Sequence, residues 1–249
     1  MRRALAALAV GAVAASLPGA ATGGGIGLSA SPLRLTLRGA SAAAVTVRNA
    51  GRRPLLVDVS RAGFARSLHG RPRVRQARGA AAWLRLRPRR LRVAPGGKAV
   101  LRVRAAPPRR AEPGDHPALV LLTTRPLGAR RVRVLLRVGV IVDLRVAGRI
   151  VRRLDARRLT VRRGRRLLEL LLVNRGNVTE RFGRDGLRLV LSRNGRLVAM
   201  LRPRRGELLP RSRGLAEFTY GGAARGRVVA RVELRPTLPG RRPVFHLLL

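Results

Sequence analysis

The sequence contains no cysteine and very few aromatic residues. Without cysteine there is no disulfide, no thiol nucleophile and no thiolate metal site. Aromatic residues are 2% of the 249 residues, and Trp83 is the single tryptophan, so the chain offers no platform of stacking rings for nucleic acid. Hydrophobic residues still make up 46% of the chain, so its cores must be built from leucine, valine and alanine.

Acidic residues are also scarce. The chain has 11 Asp and Glu against 55 Lys and Arg, which gives a net charge of +44, and Lys98 is its only lysine. Such a surface attracts polyanions such as nucleic acid, anionic lipid or an acidic cell-wall polymer. The arginines follow strand alternation and do not cluster in one segment, which favours solvated strand faces as their first role. Arginine, alanine, glycine and proline are the residues of GC-rich codons, so base composition is an alternative explanation for part of the excess.

Catalytic and metal-binding patterns are missing as well. His69, His116 and His246 are isolated in the sequence, without metal-ligand spacing, and no serine lies in a Gly-x-Ser-x-Gly elbow. Asp115 and His116 follow a Pro-Gly dipeptide, which favours a turn over a carboxylate–imidazole pair. We therefore predict a protein that is not an enzyme, with no catalytic residue, no metal site, no cofactor and no small-molecule substrate.

The N-terminal segment has the pattern of a secretory signal peptide. Residues 1–21 combine two arginines, an apolar run over Ala4–Ala15 and small residues before a cleavage site after Ala21. The apolar run is shorter than the roughly 20 residues that span a bilayer. Glycine-rich residues 22–30 predict a flexible leader. We expect a secreted, periplasmic or cell-wall protein that does not span the membrane after cleavage.

The segment from Trp83 to Val103 carries the clearest structural pattern. Leucine and valine alternate with arginine in two strand-like runs, and the turn chemistry of Ala94–Gly97 separates the runs. An extended strand with this pattern has an apolar inner face and a basic outer face. This arrangement is typical of a β-sandwich.

The rest of the chain shows the same period of two, with no sustained helical periodicity. We predict an all-β protein of two tandem immunoglobulin-like β-sandwich domains, over residues 31–147 and 148–249. Residues 63–79 are polar and basic and predict a long loop or irregular edge, and Ser192–Gly195 predicts a hairpin turn. Besides those of the Trp83–Val103 segment, the predicted strands are Pro32–Leu37, Ala44–Asn49, Pro54–Val59, Ala118–Thr123, part of Arg131–Val146, Arg158–Val161, Leu167–Val173, Gly186–Leu191, Arg196–Leu201, Glu217–Tyr220, Arg227–Val232 and, as a final edge strand, Val244–Leu248.

A weak internal repeat links the two halves. Val45–Asn49 is followed by Gly51, and Leu170–Asn174 is followed by Gly176, so each half has an apolar strand, an asparagine, one residue and a glycine. The pattern predicts that both halves use the same device where a strand turns.

Two stretches, Val45–Leu55 and Trp83–Gly96, resemble bacterial tandem immunoglobulin-like envelope proteins. The resemblance is to WxL-interacting cell-wall proteins and, more distantly, to periplasmic pilus-assembly chaperones. The first family implies peptidoglycan binding by the first domain and a partner on the second. The second implies that a client's terminal carboxylate is held by an arginine in the first strand and a lysine in the last strand of domain one. Arg34 stands at the first position, but Ile141 or Val142 stands near the second, so the pair is incomplete.

These observations predict an exported, non-enzymatic binding or assembly module of the cell envelope. It would bind a partner protein through a sandwich edge, or an anionic cell-wall polymer through arginine-rich strand faces. The candidate anion-binding residues are Arg34, Arg85, Arg87, Arg90 and Arg92. One alternative is a periplasmic pilus-type chaperone. A second is a basic nucleic-acid-binding protein with a misread leader, which the missing recognition helix and aromatic residues disfavour.

Overall fold

The computed structural model describes most of the chain after its N-terminal segment. The described residues are 27–125, 135–162, 164, 166–183, 186–221, 226–234, 239–240 and 242–249. The predicted signal peptide and residues 22–26 of the predicted leader lie outside this part. Within the described residues no helix has the length and apolar character needed to cross a membrane. The described helical segment is a short 3-10 turn, Gly79–Trp83.

The first half folds as a sandwich of two sheets. One sheet has the order β1-β3-β8-β6, and the other has the order β2-β10-β9-β4-β5, with β7 also pairing with β4. Strands β2 and β10 run parallel, and the remaining pairs are antiparallel. The strands are β1 (Leu28–Ser31), β2 (Arg34–Arg38), β3 (Ala42–Asn49), β4 (Leu55–Arg66), β5 (Pro72–Arg75), β6 (Leu84–Arg87), β7 (Arg90–Val93), β8 (Lys98–Ala105), β9 (Gly114–Arg125) and β10 (Arg137–Val146).

The second half is a second sandwich with its own core. Its sheets have the orders β11-β12-β17 and β15-β14-β18-β19, and β13 pairs with β16. The predicted all-β fold of two immunoglobulin-like sandwiches is confirmed. The strands are β11 (Leu154–Arg162), β12 (Leu167–Asn174), β13 (Glu180–Phe182), β14 (Leu187–Arg193), β15 (Arg196–Leu201), β16 (Gly206–Leu208), β17 (Arg213–Thr219), β18 (Arg227–Leu234) and β19 (Val244–Leu248).

Alternation of apolar and basic residues explains the first core. Leu101 and Val103 of β8 are fully buried, whereas Arg102 and Arg104 between them are exposed. Trp83 packs at the margin of this core, with its ring 4.9 Å from that of His116. The tryptophan therefore has a structural role at the edge of the first core.

The Trp83–Val103 segment differs from its prediction in one respect: it forms three strands, not two. Its first alternating run splits at Pro88, so that β6 joins the first sheet and β7 joins the second. Proline has no N–H to donate to a ladder, so it suits a point where the chain leaves one sheet for the other.

Tertiary contacts also form strand structure outside the predicted bounds. Residues 63–79 do not form a long loop, because β4 continues to Arg66 and β5 pairs with it as an edge strand. Phe64 is buried there against Leu209 of the second sandwich. The end of the predicted flexible leader belongs to β1, since Leu28 and Ala30 pack against the first core. The predicted turn at Asp115 lies inside β9.

The shared device of the internal repeat is confirmed. The amide nitrogen of buried Asn49 lies 2.7–3.1 Å from three carbonyl oxygens, and its Oδ1 accepts the Gly51 N–H at 2.9 Å. The amide nitrogen of Asn174 lies 2.8–3.2 Å from three carbonyl oxygens, and its Oδ1 accepts the Gly176 N–H at 2.9 Å. Each asparagine therefore ties a strand end to the segments around it.

Candidate functional site

Strand β10 has an open edge in the first sandwich. β2 pairs with it only over Ile141–Arg145, and no described strand pairs with Arg137–Val140 on that side. The Ile141 N–H donates to the Leu33 carbonyl across this edge. Backbone groups alternate sides along a strand, so those of Arg137 and Gly139 point to the same open edge. This stretch can accept one more strand.

Exposed leucines flank the open edge. The exposed fraction is 56% for Leu33, which precedes β2, and 59% for Leu135, which precedes β10. Large exposed apolar side chains beside an unpaired strand mark a surface suited to another chain.

A cluster of five charged residues lies next to this edge, between the two sandwiches. We call it the cleft cluster, and it consists of Arg34, Arg66, Asp143, Arg181 and Glu207. Arg34 donates to both carboxylate oxygens of Glu207, at 3.0 and 2.5 Å, and its Nη1 lies 3.1 Å from Asp143. Arg66 also donates to Glu207, and Arg181 Nε lies 3.5 Å from it. The cluster thus links β2, β4 and β10 of the first sandwich to β13 and β16 of the second.

The pKa values of the two carboxylates of the cleft cluster shift in opposite directions. Burial raises the pKa of Asp143 above its usual value, and the charge of Arg34 offsets only part of that effect. Burial also acts to raise the pKa of Glu207, but the hydrogen bond from Arg34 and the charge of Arg66 outweigh it, so this pKa is lowered. Asp143 Oδ1 is buried and has no hydrogen-bond partner among the described residues. The strong ion pair of the cluster is therefore Arg34–Glu207.

Further contacts fix the two sandwiches against each other beside the cluster. The Asp115 N–H donates to the Asn177 carbonyl at 2.8 Å, and the Leu215 N–H donates to the Leu68 carbonyl at 2.7 Å. Gly114 is required at this junction, because a Cβ there would lie 2.1 Å from the Asn177 carbonyl oxygen. The cleft is consequently held in place by specific contacts between the two sandwiches.

The five arginines proposed from the sequence do not share one surface. Arg34 lies in the cleft cluster. Arg85 and Arg87 are exposed on β6 in the first sheet, whereas Arg90 and Arg92 are exposed on β7 in the second. Arg90 Nε also lies 3.3 Å from a carboxylate oxygen of Asp58.

Sequence reasoning missed the other members of the cleft cluster. The sequence does not show which arginines bind Glu207, because Arg34 is 173 residues away from it and Arg66 is 141 residues away. Asp143 carried a faint signal, since it interrupts an apolar run in the last strand of the first domain.

One grouping of possible metal ligands appears in the described part of the chain. Ligand atoms of His69, Glu169 and Glu217 lie within 4.8 Å of one another. His69 Nδ1 is 3.2 Å from Glu217, and Arg162 Nε is 3.0 Å from Glu169. Both carboxylates therefore already have a hydrogen-bonding partner. The sequence spacing gave no sign of this grouping, because its residues come from three strands or turns.

No protein-family model matches the chain, and no curated protein matches its sequence. Solved structures do match its fold. One is a chain of a chaperone–tip adhesin complex of CFA/I fimbriae biogenesis, with a TM-score of 0.52 and 10% identity over 88% of this chain and 98% of that chain. Another is the class 5 fimbriae chaperone CfaA, with a TM-score of 0.51 and 10% identity over 90% and 100%. A third is a chain of the Salmonella enterica SafA pilin–SafB chaperone complex, with a TM-score of 0.51 and 13% identity over 90% and 97%.

These likenesses concern the arrangement of two immunoglobulin-like domains, since the identities are low. Of the two families that the sequence resembles, the solved structures support the fold of the pilus chaperones and not that of the WxL-interacting proteins.

Proposed function

We propose that this chain is a non-enzymatic assembly protein of the chaperone type, exported to the periplasm or cell envelope. It holds a partner protein by adding a strand of that partner to the open edge of β10. The observation that carries the proposal is the stretch Arg137–Val140 of β10, which has no described partner on the side where β2 pairs with the rest of the strand. Strand addition gains main-chain hydrogen bonds, and neighbouring side chains supply the specificity.

Exposed Leu33 and Leu135 supply apolar contacts at the two ends of the added strand. A partner strand that lies against Arg137 and Gly139 gives the exposed backbone groups of both residues a donor or acceptor. Pairing of this kind also covers an edge that would otherwise invite aggregation.

The cleft cluster supports a second contact. A partner strand that follows the line of β2 ends beside Arg34, where three guanidinium groups converge. A terminal carboxylate of the partner can bind there if it displaces Glu207 from Arg34. The pilus-chaperone resemblance implies a second cation in β10, but the register places Ile141 opposite Arg34 and Asp143 two residues further. We therefore propose that the β10 edge supplies most of the affinity and that the carboxylate contact is secondary.

The similar structures are consistent with a partner of this kind. Their descriptions name a pilin and a tip adhesin in complex with chaperones. For this chain we propose a partner of the same class, a subunit that is completed by an added strand.

A photocrosslinking experiment tests the proposal. A photoreactive residue replaces Leu135 beside the open edge or, as a control, Leu197, which is 63% exposed on β15. The chain is irradiated in the cells that make it, and the crosslinked peptides are sequenced. We expect position 135 alone to crosslink to a terminal, extended segment of one subunit-like protein. Equal crosslinking from both positions, or none from position 135, would contradict the proposal.

A further inference from the structure

The outer face of the first sheet carries only positive charge. We call it the cationic face, and strand alternation directs the side chains of six basic residues onto it from β3, β6 and β8. These residues are Arg48, Arg85, Arg87, Lys98, Arg102 and Arg104. None of the strands β1, β3, β6 and β8 contains an aspartate or a glutamate. We propose that this face binds a linear polyanion with repeated phosphate or carboxylate groups.

The register places the cations of this face directly opposite one another. Arg85 faces Arg104, and Arg87 faces Arg102 across the β6–β8 pair. In the same way, Arg48 of β3 faces Lys98 of β8. Like charges directly opposite across a ladder are destabilising. The sheet therefore bears three unfavourable pairs that a bound anion would relieve.

Some arginines on other strands of the described chain have acidic partners. Arg90 lies 3.3 Å from Asp58 in the other sheet, and Arg188 lies 3.9 Å from Glu233 in the second sandwich. In the described structure none of the six residues of the cationic face forms a salt bridge. The cationic face differs from these places in that six cations lie on neighbouring strands of one sheet with no carboxylate among them.

The shape of the face suits an extended chain. The remaining outward positions on β1 and β3 are the small residues Ser29, Ser31, Ala42, Ala44 and Thr46, which leave the surface flat. Basic side chains two residues apart along a strand are separated by about 6.6 Å, and those on paired strands by about 5 Å. Guanidinium groups at these spacings can bind successive anionic groups of one polymer through bidentate hydrogen bonds.

A cleft next to β6 extends the face. Its volume is about 1250 Å³, and Arg61 and Arg89 line it together with Arg85, Arg87 and Arg102. No acidic residue lines it. A polymer that crosses the face can therefore continue past the sheet edge without meeting a carboxylate.

A membrane surface is the less suitable ligand. Val100 is the large apolar side chain that the described strands direct outward among these cations. Interfacial binding requires aromatic or long apolar groups that enter the lipid. The face offers charge without such an anchor, so a soluble polymer is the ligand that fits it.

This inference is independent of the proposed function. The open edge belongs to β10 in one sheet, and the cationic face belongs to the other sheet of the same sandwich. A chain that binds a partner protein at β10 keeps the cationic face available.

Titration of the full chain with two polymers tests the inference. Fluorescently labelled polyphosphate and polyglutamate are titrated over a series of salt concentrations. The test variant carries R85Q, R87Q, R102Q and R104Q. The matched control carries R158Q, R196Q, R227Q and R231Q, four exposed strand positions of the second sandwich with the same change in net charge.

We expect the chain to bind at least one polymer at low salt, and the test variant to bind it at least tenfold more weakly. The slope of log K against log salt should become shallower by about 3, the value for four lost contacts on a single-stranded phosphate chain. The control should keep both the affinity and the slope. Thermal unfolding of the test variant should occur at the same or a higher temperature, because like-charge repulsion is removed.

Three results would overturn the inference. The first is no binding of either polymer at low salt. The second is an equal loss in the two variants, which would mean that net charge alone attracts the polymer. The third is tighter binding to phosphatidylglycerol vesicles than to both polymers, which would assign the face to a membrane. Binding of polyphosphate or of polyglutamate alone supports the inference and identifies the anionic group.

Discussion

Two buried asparagines hold the strand ends of both sandwiches. Asn49 is 0% exposed and Asn174 is 1% exposed, and the amide of each lies within hydrogen-bond distance of three carbonyls. We predict that Asn174→Ala lowers the free energy of unfolding by at least ~2 kcal/mol, because each buried carbonyl left without a donor costs about 1–3 kcal/mol. Urea denaturation measures this loss of stability. Asn49→Ala should lower the free energy of unfolding by a similar amount.

The Asn174→Asp variant separates the donor role from the acceptor role. It keeps the oxygen that accepts the Gly176 N–H but removes the donor to the three carbonyls. We expect it to be at least as destabilising as the alanine variant. Stability close to that of the native chain would contradict the donor role.

These asparagines could be found in the sequence, but the partners of the cleft cluster could not. The Asn-x-Gly spacing is local, and it occurs once in each half of the chain. The Arg34–Glu207 pair depends on how the two sandwiches dock. The sequence contains many arginines that could pair with any one carboxylate. Composition predicts that an acid will be paired, and only the tertiary structure selects the partner.

The pH dependence of stability reports on Glu207. Its pKa is lowered in the folded chain, chiefly because Arg34 and Arg66 outweigh the effect of burial. The stability that it contributes is therefore fully present above about pH 4.5, the ordinary glutamate value, and is lost as the pH falls through the lower folded value. We predict that the free energy of unfolding of the Glu207→Gln variant depends less steeply on pH between about 5 and 3 than that of the native chain.

The control for this prediction is Glu233→Gln, which removes a half-exposed carboxylate 3.9 Å from Arg188. Urea denaturation at a series of pH values should show a larger change of slope for Glu207→Gln than for the control. The same slope for Glu207→Gln and the native chain would contradict the assigned pKa shift.

At the scale of the element, the β14–β15 hairpin is the clearest success of sequence reasoning. Asn194 and Gly195 adopt φ angles of 48° and 77°, in the left-handed region that a tight hairpin of this kind requires. We predict that Gly195→Ala costs about 1 kcal/mol, because a Cβ is strained at positive φ. Gly221→Ala is the control, since Gly221 lies outside that region and has open space around its Cα. Equal losses in urea denaturation would contradict the prediction.

Element bounds were less predictable where packing decides them. β13 and β16 have three residues each, too few for a visible alternation, and they pair only with each other. Pro88 divides one alternating run between two sheets, although the pattern of apolar and basic residues continues through it. Local pattern thus predicted which face of a strand is buried, but not which sheet the strand joins.

Over the whole molecule, charge is distributed unevenly. A chain with a net charge of +44 places Asp115, Asp143 and Glu207 at the junction of its sandwiches, where arginines bind them. The outer face of the first sheet carries no acidic residue, and its cations remain without acidic partners among the described residues. These three acids therefore serve the docking of the domains, whereas the outer face of the first sheet is wholly basic.

The open edge of β10 is likewise a property of the whole sandwich. It exists because β2 covers only the second half of β10, a fact of register that alternation in the sequence does not reveal. The fold class could be predicted from local pattern, whereas the candidate site depends on which strand edges remain unpaired after folding.

Substitution of Gly139 tests the central proposal most directly. Gly139→Pro removes an N–H that points to the open edge and leaves the ladder to β9 intact. Gly139→Ala keeps that N–H. Its Cβ would lie 3.7 Å from the Leu119 side chain and 3.8 Å from the Leu121 side chain, which are ordinary contacts. The yield of the crosslink from position 135 is measured in both backgrounds. We predict at least a tenfold lower yield with proline and little change with alanine. The same yield in both would contradict strand addition at this edge.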